Sequence, residues 1–290
     1  VPLPAIVGFG TQWQNAGDLE YRGLEITLGA NVVDNPNFRW DFNVVFDRFK
    51  QEITNLPIPE FRRGTGIQQS DVFLIKEGEP LGAIYATKWM RSLDEVLDGN
   101  PEADLSDYAI NNEGFVVRAN QLGTGAEVPL PYVDAEGATT HKVGDTNPDF
   151  NLGINNTFTI YKNLTVYFLW DWKQGGDIYS QTLQFLTRDN RAGYMDQRGS
   201  AYPKSINYYQ GFYNTNNPSS YFVYDGSYLK LRELSINYNI PGTLFGEGFG
   251  NAVENIRLGL VGRNLLIISD YPGYDPEVGQ GPDNIDRTTY

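Results

Sequence analysis

Long stretches of this sequence alternate between apolar and polar residues, the pattern of a β-strand with one apolar face. In residues 24–32 the even positions are apolar and the odd positions are mostly polar. A turn-forming stretch follows at 34–37, and the alternation then resumes with Phe38, Trp40, Phe42, Val44 and Phe46 on one face. The pattern therefore predicts a long hairpin with one apolar face.

A second hairpin is predicted over residues 150–173, with a two-residue turn at Lys162 and Asn163. Asn156 interrupts the apolar face of its first strand. The return strand has apolar residues at five alternate positions, which are Leu164, Val166, Phe168, Trp170 and Trp172. Each strand has about ten residues, close to the ~9–11 that cross a bilayer at a tilt and longer than the ~5–6 usual in soluble sheets. Strand length therefore favours a membrane protein.

Four further strands are predicted at 71–76, 81–90, 227–240 and 253–265, which gives eight in all. Their connections alternate in length. Short connections lie at 34–37, 77–80 and 162–163, an intermediate one at 241–252, and long ones at 50–70, 91–148 and 174–224. Short turns at one rim and long loops at the other are typical of outer-membrane barrels. The alternative is a soluble sandwich in which two apolar faces meet.

Eight strands in an open sheet would leave two unpaired edges. Lipid does not tolerate such edges, because each unpaired backbone group costs several kcal/mol. We therefore expect further strands before residue 1 and after residue 290, so that the chain is part of a larger barrel.

Composition excludes several classes of function. The 22 Lys and Arg residues are scattered and are outnumbered by 36 Asp and Glu, which gives a net charge of −14 and argues against a nucleic-acid surface. With no Cys and only His141, the chain offers no thiolate or His-rich metal site and little material for a nucleophilic triad. A glycosidase-type carboxylate pair cannot be inferred from counting. We expect neither a catalytic nor a metal site.

Several motifs occur in a characteristic order. They include Gly144-Asp145-Thr146-Asn147-Pro148-Asp149-Phe150, Tyr161-Lys162-Asn163-Leu164, Gly175-Gly176-Asp177-Ile178-Tyr179, Asp225-Gly226-Ser227-Tyr228-Leu229-Lys230-Leu231-Arg232 and Tyr271-Pro272-Gly273-Tyr274-Asp275-Pro276-Glu277-Val278. This set resembles the barrel of SusC/RagA-type TonB-dependent transporters of the Bacteroidetes outer membrane.

The resemblance implies an all-β fold, a transmembrane antiparallel β-barrel of which this chain would supply about eight of 22 strands. Residues 1–290 would be the C-terminal part of the barrel, with long extracellular loops near 50–70, 91–148 and 174–224. The plug domain, the TonB box and the last strand would lie outside this sequence.

The implied function is TonB-dependent uptake of a bulky nutrient, an oligosaccharide or a peptide, across the outer membrane. The implied partners are a SusD-like surface lipoprotein, TonB through the absent N-terminal region, outer-membrane lipid and a second transporter–lipoprotein pair; no nucleic acid is expected. No cofactor is predicted, because residues 132–137 keep too few ligands for the calcium loop that family members often carry. The other candidate for calcium, or a merely solvated loop, is the acidic run Asp94, Glu95, Asp98, Glu102, Asp104 and Asp107.

Candidate substrate-binding residues follow from strand parity and loop position. Asp41, Asn43, Tyr167 and Asp171 fall on the polar faces of their strands, and Tyr85 and Trp89 fall near the upper rim. Tyr, Trp, carboxylate and amide groups stack on sugar rings and bond their hydroxyls. The alternative for the two rim aromatics is an interfacial belt.

The sequence also fits two alternative hypotheses. A small self-contained barrel for adhesion or anchoring predicts that residues 253–265 pair with residues 19–33. A secreted glycan-binding β protein predicts solubility without detergent.

Overall fold

The computed structural model describes residues 15, 17–63, 71–213, 218–246, 248, 253–279 and 285–286. β-Strands dominate this part of the chain. The strands are β1 (Asp18–Asn35), β2 (Phe38–Asn55), β3 (Phe61–Arg63), β4 (Phe73–Ile75), β5 (Ala83–Thr87), β6 (Tyr108–Ile110), β7 (Val116–Arg118), β8 (Thr140–Asp145), β9 (Pro148–Ile160), β10 (Leu164–Gly175), β11 (Ile178–Ser180), β12 (Val223–Tyr224), β13 (Tyr228–Pro241), β14 (Asn255–Ile268) and β15 (Ile285–Asp286). The α-helices are α1 (Asp94–Gly99), α2 (Gln181–Arg188) and α3 (Ile206–Phe212).

The six long strands form one sheet in the order β1-β2-β9-β10-β13-β14. Strand β9 pairs antiparallel with β2 and β10, and β13 pairs antiparallel with β10 and β14. The sheet is open, with β1 and β14 as its edge strands. A self-contained barrel would need β14 to pair with β1, and no ladder joins these two strands within the described residues.

The register places the predicted apolar positions of neighbouring strands opposite one another. Phe168 of β10 lies opposite Asn156 of β9 and Leu234 of β13, and Phe42 of β2 lies opposite the same Asn156. Asn156, the predicted interruption, is buried, and its side-chain oxygen accepts a hydrogen bond of 3.0 Å from the Trp40 indole N–H. The apolar faces predicted for the single strands therefore join into one face of the sheet.

The prediction of eight strands in one barrel wall is wrong for residues 71–76 and 81–90. There the chain forms the short strands β4 and β5, which belong to a separate four-stranded sheet in the order β3-β4-β5-β8. All three residues of β4 and four of the five in β5 are buried. These segments are buried on both faces, as in a soluble core, so they carry no one-sided pattern.

The connections between the six long strands alternate in length. The hairpins β1–β2, β9–β10 and β13–β14 have the shorter connections, whereas residues 56–147 and 176–227 form two long ones. The β9–β10 turn has three residues rather than the predicted two. Two of them, Tyr161 and Lys162, have left-handed backbone angles (φ 46° and 64°).

Strand β13 contains a β-bulge at Arg232. Against β10 the register steps from Leu169↔Glu233 to Trp170↔Leu231, so Arg232 is an extra residue on β13. Against β14 it steps from Leu231↔Leu266 to Glu233↔Arg263, so Arg232 lies opposite two residues of β14. The bulge changes which alternate residues share a face. As a result Leu229 and Leu231 lie on the same face as Leu234, although their sequence parity differs.

The chain divides into two compact units. The loop unit comprises Val1–Arg22, Lys50–Asp145 and Leu183–Phe222, and the sheet unit comprises Gly23–Phe49, Thr146–Thr182 and Val223–Tyr290. The loop unit has an aromatic core, in which Phe212 stacks on Tyr221 with ring centroids 3.8 Å apart. The sheet unit holds most of the long sheet and a small sheet in the order β12-β11-β15.

No helix within the described residues is long and apolar enough to span a membrane.

Candidate ligand-binding face

The polar face of the long sheet carries two of the predicted residues in one hydrogen-bonded row. Asn43 lies opposite Asn155 in the register of β2 with β9. The Asn155 side chain donates to Asn43 Oδ1 over 3.3 Å and accepts from the Tyr167 hydroxyl over 2.9 Å. Asn155, which the sequence did not single out, therefore joins Asn43 to Tyr167. The row offers amide and phenol groups in a fixed order along the face.

Asp41 lies on the same face, nearer the turns. Its carboxylate accepts hydrogen bonds from the Arg39 guanidinium, with the shortest at 2.8 Å. Both side chains line an open cavity of about 680 Å³ together with Asp34, Thr159 and Lys162. The Asp41 carboxylate therefore has a paired cation beside a space that a ligand can enter.

Asp171 lies in a network of charged groups towards the other end of the strands. The Arg232 guanidinium donates to Asp171 Oδ2 over 2.8 and 2.5 Å and to Glu277 Oε2 over 2.7 Å. Lys230, whose side chain is 4% exposed, donates to Asp275 over 2.7 Å and also to Glu277. The network ties the segment after β14 to β10 and β13.

The pKa of the Glu277 carboxyl reflects its place in this network. Partial burial raises its pKa, but hydrogen bonds from Arg232, Lys230 and Tyr228 outweigh burial and lower the pKa to about 2. Glu277 is therefore a carboxylate at neutral pH.

Lys230, Arg232, Asp275 and Glu277 were not among the candidates from the sequence, although a signal was present. Lys230 and Arg232 share the even parity of Leu234 and Ile236, so simple alternation places two cations on the apolar face. Charges at apolar positions indicate a change of register, which the structure supplies as the bulge at Arg232.

The two predicted rim aromatics belong to the loop unit. The Tyr85 hydroxyl donates to Glu79 over 2.8 Å, and burial together with this carboxylate raises the pKa of Tyr85 to about 12. Trp89 is 7% exposed, and its indole N–H donates to the Ser219 hydroxyl over 2.8 Å. Its ring packs edge-on against Phe212. Trp89 therefore lies in the core of the loop unit, whereas Tyr85 is partly exposed.

The acidic run is engaged in local contacts. Glu95 pairs with Lys88 over 2.6 Å, and Asp104 accepts from the Ser106 backbone N–H over 2.9 Å. Asp98 accepts a hydrogen bond from the Tyr132 hydroxyl. No group of three His, Asp or Glu side chains within the described residues is arranged to hold a metal ion.

The remnant of the calcium loop forms a turn of its own. The Asp134 carboxylate accepts hydrogen bonds from the backbone N–H groups of Glu136 (3.1 Å) and Ala138 (2.7 Å). These bonds are those of an Asx-type turn, which needs no ion to close.

Nearly the whole chain is similar in sequence to part of several known proteins. TonB-dependent receptor P3 of Formosa agariphila is 30% identical over 302 residues, which cover 99% of this chain and 28% of the receptor. TonB-dependent receptor SusC of Bacteroides thetaiotaomicron is 25% identical over 299 residues, which cover 98% of this chain and 26% of SusC. No protein-family model matches the chain.

Solved structures share the fold. The structure of the RagAB peptide transporter superposes with a TM-score of 0.63 at 20% identity, over 99% of this chain and 30% of the transporter chain. The chain therefore spans less than a third of the length of the proteins that it matches.

Proposed function

Since the chain belongs to the SusC/RagA-type family of TonB-dependent outer-membrane transporters, we propose that it forms part of a barrel wall for nutrient uptake. The cargo is a bulky oligosaccharide or peptide that crosses the outer membrane in a TonB-dependent step. No catalytic role is proposed, because the relatives are receptors and transporters rather than enzymes.

The observation that carries this proposal is the two-faced long sheet. Large apolar side chains lie exposed along its strands, among them Leu28 (64%) and Leu260 (71%). The opposite face carries the Asn43–Asn155–Tyr167 row and the Asp171–Arg232 ion pair. An exposed apolar face beside a polar face is what a barrel wall between lipid and an aqueous path requires.

In this proposal the polar face contacts the cargo and the long connections lie outside the cell. Tyr85, with a hydroxyl bonded to Glu79, remains a candidate for cargo contact at the rim. The connections 56–147 and 176–227 provide surface for a SusD-like lipoprotein and for a second transporter–lipoprotein pair. TonB acts through a region outside these residues, and the remaining strands complete the barrel.

A matched pair of arginine substitutions tests the lipid face. Phe168 and Leu169 are neighbours in β10 on opposite faces, and Leu169 lies opposite Glu233 of β13. In the full-length protein, Phe168→Arg is expected to cost about 2–4 kcal/mol if the residue sits near the bilayer midplane, and to reduce outer-membrane assembly. Leu169→Arg places its charge on the polar face near Glu233 and is expected to assemble normally.

Assembly is measured as the amount of folded, heat-modifiable protein in the outer-membrane fraction. Equal assembly of the two arginine variants would contradict a lipid face. TonB-dependent import of labelled oligosaccharides and peptides into cells then tests the transport function itself. A protein that inserts normally but imports neither class would leave the anchoring alternative.

A further inference from the structure

A second polar pocket lies on the polar face of the sheet, at the end where β9 turns into β10. Its volume is about 410 Å³. It is lined by Lys162, Asn163, Thr165, Asn237, Asn239 and Arg257. These residues come from one turn and three adjacent strands of the sheet unit. Two cations, three amides and one hydroxyl line the pocket, and neither a carboxylate nor an apolar side chain does.

The backbone around this pocket is held in place. The Asn239 N–H donates to the Asn163 carbonyl over 2.8 Å, which ties the turn to β13. Asn237 lies opposite Thr165 on one side and Gly259 on the other. A Cβ at Gly259 would come within 2.8 Å of Asn237 Oδ1, so the glycine leaves room for this amide.

Several groups of the pocket have unused bonding capacity. The buried Asn239 Oδ1 accepts no hydrogen bond from any described residue. Neither Lys162 nor Arg257 has a carboxylate within ion-pair distance in the described part of the chain, whereas Arg39 on the same face pairs with Asp41 over 2.8 Å.

Lys162 also has an unusual backbone conformation. Its φ of 64° lies in the left-handed region, which glycine and asparagine adopt more readily in such turns. The turn thus holds a lysine where a smaller residue fits with less strain. Such positions are often associated with a function of the side chain.

We propose that this pocket binds a carboxylate-bearing sugar residue of an acidic oligosaccharide. Lys162 and Arg257 contact the carboxylate, since paired cations with free donors favour an anion. The side chains of Asn237, Asn239 and Thr165 bond the ring hydroxyls. An aliphatic peptide side chain would find no apolar wall here. This inference rests on the proposed function and narrows its cargo to acidic glycans that pass the turn end of the transport path.

Titration calorimetry of the full-length protein in detergent tests the proposal, with trigalacturonic acid and neutral maltotriose as probes. We expect binding of the acidic probe only, and weaker binding at high salt. Lys162→Gln and Arg257→Gln are each expected to weaken it at least tenfold. The control is Arg263→Gln, which removes a cation of β14 that lies 3.6 Å from Glu233 of β13. This variant is expected to bind the acidic probe as the wild type does.

Equal binding of the two probes, or unchanged affinity in both pocket variants, would overturn the proposal. So would the absence of sugar binding together with faster proteolysis of the rest of the chain in these variants, because the cations would then hold another part of the protein. Heat-modifiable migration in gels verifies that each variant is folded. Import by wild-type cells separates the two failures: if import occurs but the pocket variants bind normally, only this inference fails.

Discussion

The loop unit and the sheet unit place their large apolar side chains in opposite ways. In the loop unit, Phe212, Ile84 and Tyr208 are fully buried. In the long sheet, Leu258 and Leu260 lie mostly exposed in a single layer. The first arrangement suits water as solvent and the second suits lipid. Within one chain, large apolar side chains are therefore expected to be buried in the loop unit and exposed on one face of the long sheet.

A matched pair of truncations gives the largest expected contrast between the two units. Phe212 contacts Tyr221, Trp89 and Phe115 in the core, so Phe212→Ala is expected to cost about 3–5 kcal/mol through the cavity that it leaves. Phe168 faces Phe158 at 5.9 Å, and Phe168→Ala is expected to cost only about 0.5–1.5 kcal/mol, because lipid fills the space. Denaturant unfolding of the full-length protein in detergent measures both, and equal losses would contradict the contrast.

Breaking the buried ion pair of the loop unit is expected to give the second-largest loss of stability. The Glu127 and Lys204 side chains are 2% and 4% exposed and meet at 2.5 Å. Within the described residues, Lys204→Met leaves the carboxylate with hydrogen bonds from Asn111 and the Gly123 N–H alone. The substitution is expected to cost about 3 kcal/mol. Adding Glu127→Gln should recover part of this loss, because it removes the unpaired charge. A double variant no more stable than Lys204→Met would contradict an unpaired buried charge as the cause of the loss.

The same pair predicts a dependence on pH. Burial raises the pKa of Glu127, but hydrogen bonds from Lys204, Gly123 and Asn111 outweigh burial and lower it. A carboxyl whose pKa is lower in the folded state contributes fully above its unfolded pKa of about 4.3 and loses this contribution as the pH falls further. The wild type should therefore lose more unfolding free energy than Glu127→Gln between about pH 6 and pH 3, and parallel pH profiles would refute this.

The smallest expected effect concerns Asn156, a buried amide on the apolar face of the sheet. Trp40→Phe keeps an aromatic ring stacked near Phe158 but removes the donor to Asn156. Side-chain hydrogen bonds in membrane proteins contribute about 0.6 kcal/mol on average, so the loss should be of that size. A double-mutant cycle with Asn156→Ala measures it. A coupling as large as the Lys204–Glu127 effect would mean that this face has a packed core like that of the loop unit.

The sequence predicted the six long strands because alternation is a local property, visible without the partner strand. The prediction failed for β4 and β5, because both faces of these strands are buried. Their sequences therefore have no alternation of apolar and polar residues to detect. Trp89 shows a second limit. Its neighbours Ser219 and Phe212 are more than 120 residues away along the chain, so its burial depends on contacts that no local pattern contains.

The candidate site was predictable to a similar extent. Parity placed Asn43 and Tyr167 on one face, where Asn155 joins them. The network around Asp171 was not predicted, because Arg232 occupies a bulge and Glu277 comes from a segment beyond β14. A bulge adds a single residue, and sequence alone shows it only as a charge at an apolar position.

The bulge at Arg232 indicates which insertions and deletions such a strand tolerates during evolution. The side-chain period of two acts like a reading frame, in which a single inserted or deleted residue exchanges the two faces of everything beyond it. Arg232 is such an inserted residue: deleting it would remove the bulge and keep Leu229 and Leu231 on the apolar face, whereas deleting Glu233 in its place would leave the bulge residue to fill the polar position. Length variation in the long strands is therefore expected in steps of two residues, or at paired sites where a second change restores the frame.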